Sequence, residues 1–281
     1  IPARRRKGRK RHHLSCVVAH RPDLEVLGRH PERRVRLDVD ALDAAAIDEV
    51  VDVAAAPRGR ERVIDVCDRE PERGRLLLVD LDAELSRHGL TSEGRHPLPS
   101  RETLQAAAPR WGIRDRQPVV IYDDYRSLSA ARAWWLLTRS GVTDVRILDG
   151  GLTAWRDAGL RLETGEASAS AGNIRLHDIA EDVLTVSSVG DFASTGVLID
   201  VRAADRFRGE SEPFDPIAGH IPGAVNLPSD QYMSGAYFRP VAELRSIFDA
   251  AGVRDGVAAA AYCGSGITAA QALFAAELAG L

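Results

Sequence analysis

The stretch AYCGSGITAA (residues 261–270) sets a cysteine directly after a short apolar run, then gives it two glycines, a serine and a threonine before alanine-rich sequence begins. At a strand–loop–helix junction, successive backbone N–H groups surround one point and the start of the helix adds partial positive charge. A sulfur placed there is favoured as the thiolate, the nucleophilic form of cysteine. Gly264 and Gly266 allow the backbone to curl close to Cys263, where a Cβ would obstruct the turn. Ser265 and Thr268 carry hydroxyls that can donate into the same cradle or cap the helix that follows. The chemistry expected is nucleophilic attack by Cys263. The bland alternative is a small buried hydrophobe whose glycines merely turn the chain.

An internal repeat shows which elements must position this loop. Residues 118–141 lie over 257–280, and each copy is an apolar strand-like run, a tyrosine (Tyr122, Tyr262), a polar loop and an apolar-periodic helix closed by glycine. The position of Cys263 is Asp123 in the first copy, and that loop carries Tyr125 and Arg126. The repeat therefore does not itself require a Cys-Gly-Ser-Gly turn. Val145–Leu148 reads as a further strand, followed by a glycine turn and a helix start. GVLIDVR (196–202) and GHIPGAVNL (219–227) read as strand-like runs of the second half, and only the latter has a partial counterpart in the first, RLLLVDLD (75–82). Strands alternating with helices at this spacing predict an α/β fold, two tandem domains with parallel sheets flanked by helices. The expected divisions are an arginine-rich segment of uncertain structure over 1–75, the remainder of a first domain with Asp123 in place of the cysteine over 76–162, a linker rich in Gly, Ser and Ala over 163–173, and the domain that carries Cys263 over 174–281. Both domains read as incomplete, the first at its N-terminal part and the second at its C-terminal part.

Composition narrows the function. A chain of 281 residues with a formal net charge of -4 lacks the basic excess of a dedicated nucleic-acid binder. The block RRRKGRKR (4–11) holds both lysines of the chain and reads as a solvated end. Cys16, Cys67 and Cys263 form no C-x-x-C pair and no ligand spacing with histidine, so neither a zinc site nor a disulfide framework is indicated, and no metal or cofactor is expected. A reducing, cytoplasmic setting follows. LSCVVAH (14–20) is too short for the apolar part of a signal peptide, and no window approaches the roughly 18 apolar residues of a membrane span.

The loop CGSGITA (263–269) resembles the active-site loop of the 3-mercaptopyruvate sulfurtransferases within the tandem rhodanese family. It is supported by GHIPGAVNLP (219–228), LIDVRAADRFRG (198–209), VVIYDD (119–124), WWLLTRSG (134–141) and LDGGLTAW (148–155), in the family's order. The resemblance runs from about Leu76 to Leu281. It implies a sulfurtransferase in which Cys263 takes sulfur from a small-molecule donor, 3-mercaptopyruvate or thiosulfate. The resulting persulfide passes its sulfur to cyanide or to a thiol such as thioredoxin. It implies that Gly264, Gly266, Ile267 and Thr268 line the bound donor and that Ser265 helps to move a proton together with Asp82 and His96, in LVDLD and RHPLP. Arg206 in DRFRG is implied to hold the donor carboxylate. The chain departs from the family at Asp215, where many members carry a second arginine. Thiosulfate-specialised relatives place cations in the loop, whereas Gly264 and Ser265 are neutral and favour the monoanionic donor. A cysteine phosphatase would need arginine at position 269, which is alanine. A degenerate sulfur carrier or scaffold is the alternative outside catalysis.

Overall fold

A computed structural model describes residues 17–20, 51–52, 65–66, 75–76, 79–87, 89, 94–158, 162–163, 171–179 and 183–281. In chain order the first part contributes β1 (Val17–His20), β2 (Val51–Asp52), β3 (Asp65–Val66), β4 (Arg75–Leu76), α1 (Leu81–Glu84), α2 (Arg101–Ala107), β5 (Val119–Ile121), α3 (Leu128–Arg139), β6 (Val145–Ile147), α4 (Gly151–Asp157) and β7 (Leu162–Glu163). The second contributes β8 (Val183–Leu184), α5 (Val189–Thr195), β9 (Val197–Asp200), α6 (Ala204–Arg208), β10 (Val225–Asn226), α7 (Ser229–Tyr232), β11 (Met233–Ser234), β12 (Tyr237–Phe238), α8 (Val241–Ala250), β13 (Ala259–Tyr262) and α9 (Ile267–Leu278). The basic block at 4–11, Cys16 and Cys67 lie outside the described residues.

The fold is α/β, and each half contains parallel pairing of the kind the sequence predicts, joined by antiparallel strands in both sheets. The second-half sheet has the order β10-β9-β13-β1-β8. Strand β9 runs parallel to both neighbours, with Asp200 opposite Tyr262 and Ile199 opposite Val225. β13 is buried along its whole length, as a strand covered on both faces must be, which is why its run of alanines shows no alternation. β1 enters antiparallel on the far side of β13, from Val17 opposite Tyr262 to His20 opposite Ala259. The first-half sheet has the order β4-β3-β5-β6, parallel between β5 and β6 and antiparallel on both sides of β3. Within RLLLVDLD, β4 covers Arg75–Leu76, and the Asp80 carboxylate accepts the N–H groups of Asp82 and Ala83 to start α1.

Two helices carry the seam between the halves. α9 is an alanine-rich helix buried from Ala269 to Ala276, apolar on all sides as a helix enclosed by protein can be. It packs on α3, which is buried from Ser129 to Leu137. The Trp134 and Phe274 rings meet edge-on at 4.9 Å between centroids, an arrangement that aligns a ring edge with a ring face. The apolar core is continuous across this seam. Residues 171–179 run along the first half: the Gly172 N–H donates to the Pro109 carbonyl (2.7 Å), and that of His177 to the Ser140 carbonyl (2.8 Å). Among the described residues no helix is long and apolar enough to cross a membrane.

Candidate active site

Cys263 directly follows β13 and is 8% exposed. Its Sγ accepts the N–H of Gly266 at 3.0 Å and that of Ser265 at 3.4 Å. Gly266 is the residue that allows this curl, standing at φ +84° as the first residue before α9. A side chain there would meet the left-handed region, which is costly for any residue but glycine. The helix then points its N-terminus at the sulfur. The expected capping of α9 by the Ser265 or Thr268 hydroxyl is not made; the glycine serves without a side-chain cap. Ile267 and Thr268 open the helix beside the sulfur and are half-buried.

The walls of the site come from both halves. Tyr232 is fully buried on α7; burial first, and then the Cys263 charge, push its phenol well above the ordinary range. Its hydroxyl donates to the Gln271 side-chain oxygen at 3.4 Å, and the Gln271 amide donates to the Arg126 carbonyl of the first half. Arg206, on α6, pairs with Glu212 at 2.7 Å and with Asp215 at 3.0 Å. Glu210, four residues along, pairs with Arg208 instead. Burial opposes the charge on Glu212, yet the Arg206 guanidinium and the amides of Asp215 and Phe214 hold its carboxyl below the usual range. Beneath them Arg202 joins buried Asp200 at 2.6 Å and stacks over the Tyr262 ring.

Asp82 and His96 are brought together, with Nε2 of His96 3.3 Å from the Asp82 carboxylate. Burial pushes the His96 imidazole below its ordinary value; Asp82 opposes this, while Arg132 and Arg95 add to it. The loop that carries His96 is fastened from below by Arg132 of α3, fully buried, which donates to the carbonyl of Leu85 at 3.3 Å and to that of His96 at 3.0 Å. The pair reaches the sulfur loop through its neighbour: Arg95 donates to the Gly264 carbonyl at 2.9 Å. Sequence reasoning passed over Arg95, Arg132, Tyr232 and Gln271. For Arg132 and Gln271 a signal existed, a polar residue inside an otherwise apolar helix. Among the described residues no group of three His, Cys, Asp or Glu side chains could hold a metal ion.

The arrangement is a buried thiol in an amide-lined cradle, with the Arg95 guanidinium on its loop, the paired Arg206 nearby and the His96–Asp82 pair one residue on from Arg95. It suits formation of a covalent intermediate on sulfur next to an anionic ligand. The rhodanese-like domain family matches residues 79–158 and 186–281. SseB of Mycobacterium tuberculosis, which carries the name of a thiosulfate sulfurtransferase, is 46% identical over 198 residues, covering 69% of this chain and 70% of that protein. A Pseudomonas aeruginosa protein that carries the name of a 3-mercaptopyruvate sulfurtransferase is 44% identical over 210 residues, covering 72% and 73%. The crystal structure of SseA from Escherichia coli, whose description refers to the rhodanese fold of the 3-mercaptopyruvate enzymes, superposes with a TM-score of 0.60 at 35% identity. It covers 71% of this chain and 76% of that one.

Proposed function

The chain belongs to the rhodanese family and is a sulfurtransferase, and from that premise we propose that Cys263 takes its sulfur from 3-mercaptopyruvate. The Cys263 thiolate attacks the thiol sulfur of the donor. The new S–S bond forms as the donor's C–S bond breaks, and the bond pair leaves as the enolate of pyruvate, which gains a proton at carbon. Ser265 hands over that proton, and His96, oriented by Asp82, replenishes it. Arg206 holds the donor carboxylate, while Gly264, Gly266, Ile267 and Thr268 shape the pocket around the reacting sulfur. A second thiolate, from a small thiol or a thioredoxin, or else cyanide, then attacks the outer sulfur of the persulfide and restores the Cys263 thiolate. A reducing cytoplasm would keep both thiols available.

The observation that carries this reading is the convergence of the Ser265 and Gly266 amides on the Cys263 sulfur. Donors that stabilise a thiolate equally hold the inner sulfur of a persulfide. Purified protein incubated with 3-mercaptopyruvate should gain one sulfur atom on Cys263 and release pyruvate catalytically when an acceptor thiol is added. Cys263→Ser should do neither. Loading without turnover would make the protein a carrier instead. A second reading, thiosulfate as the donor, is favoured by one contact, the Arg95 guanidinium on Gly264, which brings a cation to an otherwise neutral loop. Comparing kcat/KM for the two donors decides between them.

A further inference from the structure

At the mouth of the Cys263 loop a single carboxylate bridges two arginines from different halves of the molecule. Arg95, in the segment after α1, donates from one guanidinium nitrogen to the Gly264 carbonyl (2.9 Å) and from the other to Asp215 (3.2 Å). The second oxygen of Asp215 accepts from Arg206 at 3.0 Å. Both guanidiniums lie 5.3 Å from the centroid of the Phe214 ring, a shared cation–π contact.

The carboxylates in this cluster differ in how firmly they are held. The Glu212 side chain is 5% exposed, pairs with Arg202 and Arg206, and also accepts the N–H groups of Phe214 (3.1 Å) and Asp215 (3.0 Å). Moving it would strand several buried partners. The Asp215 side chain is 31% exposed and its described partners are the two arginines, so it can turn out to solvent. Arg95, Arg202 and Arg206 face Asp200, Glu212 and Asp215, three charges of each sign, and an additional anion gains little from a neutral cluster. Exchange of one anion for another keeps the balance.

We propose that Asp215 holds the place of the donor carboxylate and that an incoming 2-oxo monocarboxylate displaces it, which makes Arg95 a donor-binding residue contributed by the first half. The proposal rests on the reading of Arg206 as the carboxylate partner. It deepens that reading: affinity is set by the Arg95–Asp215–Arg206 bridge, and Phe214 keeps both guanidiniums in place once the aspartate has left.

The test uses the full chain and a readout independent of sulfur transfer. Pyruvate is titrated as a protectant of Cys263 against alkylation by neutral iodoacetamide. Arg95→Gln should raise the half-protecting concentration about tenfold, the value of one charge-assisted hydrogen bond. Asp215→Asn should lower it by about threefold or more, a gain that misfolding cannot produce. In steady state, Arg95→Gln should raise KM for 3-mercaptopyruvate and leave kcat within about twofold. Absence of protection in the unsubstituted protein, an unchanged half-protecting concentration in Arg95→Gln, or weaker binding in Asp215→Asn would each overturn the proposal. So would a fall in kcat at constant KM in Arg95→Gln, which would reduce Arg95 to a prop for the Gly264 carbonyl. If pyruvate protects as expected but 3-mercaptopyruvate loads no sulfur, the donor assignment fails and the carboxylate clamp stands.

Discussion

The carboxylate of Asp123 and the thiol of Cys263 stand at the same place in two copies of one strand–loop–helix unit, and each is held by the amides of its own loop. Asp123 accepts from Tyr125 and Ser127 at 2.8 Å and from Ala130 at 2.9 Å, and Cys263 accepts from Ser265 and Gly266. The first copy shows what the loop is built to hold, an anionic or electron-rich acceptor. Burial nevertheless pushes the Asp123 carboxyl up, against the pull of those amides. Asp123→Ala should leave the buried Ser127 and Ala130 amides and the half-buried Tyr125 amide without this acceptor and destabilise the protein by about 3 kcal/mol. Asp123→Asn, which keeps one acceptor oxygen, should cost less. Chemical denaturation of both variants checks the order.

Gly266 and Gly264 should respond differently to alanine. Gly266→Ala places a Cβ at φ +84° and displaces an amide 3.0 Å from the sulfur. A loss of about 1–2 kcal/mol in stability is expected, with a fall in kcat. At Gly264 an added Cβ would run into the Arg95 guanidinium, the movable end of a long side chain. Gly264→Ala should therefore fold normally and show its effect on KM for the donor. Kinetics of the two variants side by side separate the cradle from the clamp.

His96 gives stability a pH dependence of known sign. Burial lowers its folded-state pKa, so as pH falls through about 6.5 the unfolded chain takes up the proton first and the folded state loses ground. Stability should drop from about pH 6.5 down to the folded-state value. In His96→Gln the slope over that window should be shallower. Urea midpoints measured at half-unit steps of pH for both proteins test this.

Arg132 should act through the segment it fastens. Arg132→Met removes the donors to the Leu85 and His96 carbonyls from a fully buried position. A loss of about 2–3 kcal/mol is expected from the stranded carbonyls. Turnover should fall with it, because His96 and Asp82 lose their footing. Alkylation of Cys263 by iodoacetamide should change less than turnover, because Sγ keeps the Ser265 and Gly266 amides while Arg95, beside His96, loosens its hold on the Gly264 carbonyl.

What could be read from the sequence was local. The Cys263 loop, the repeat of 118–141 on 257–280 and the helices on α3 and α9 are each written within a few dozen consecutive residues, in glycines, an apolar period and a closing glycine. The contact of Arg95 with Gly264 joins positions 169 apart, and no spacing rule reaches that far. The helix start at the end of RLLLVDLD has a local signal too: Asp80 precedes a helix-forming Leu-Asp-Ala-Glu, and the Glu84 carboxylate accepts the Asp80 N–H at 2.9 Å. The antiparallel strand at Val17–His20 had no legible signal, because pairing to β13 depends on an edge supplied some 240 residues later.

The seam of α3 against α9 bears on how the molecule comes apart. The Gln271 amide on the Arg126 carbonyl, the Arg126 guanidinium on Gly235 and the Phe238 amide on Asp149 all cross it, and Trp134 and Phe274 interlock within it. Severing the chain near residue 170 would wet two broad apolar helices at once. Melting should accordingly register as one calorimetric peak, and either fragment expressed by itself should be prone to clump.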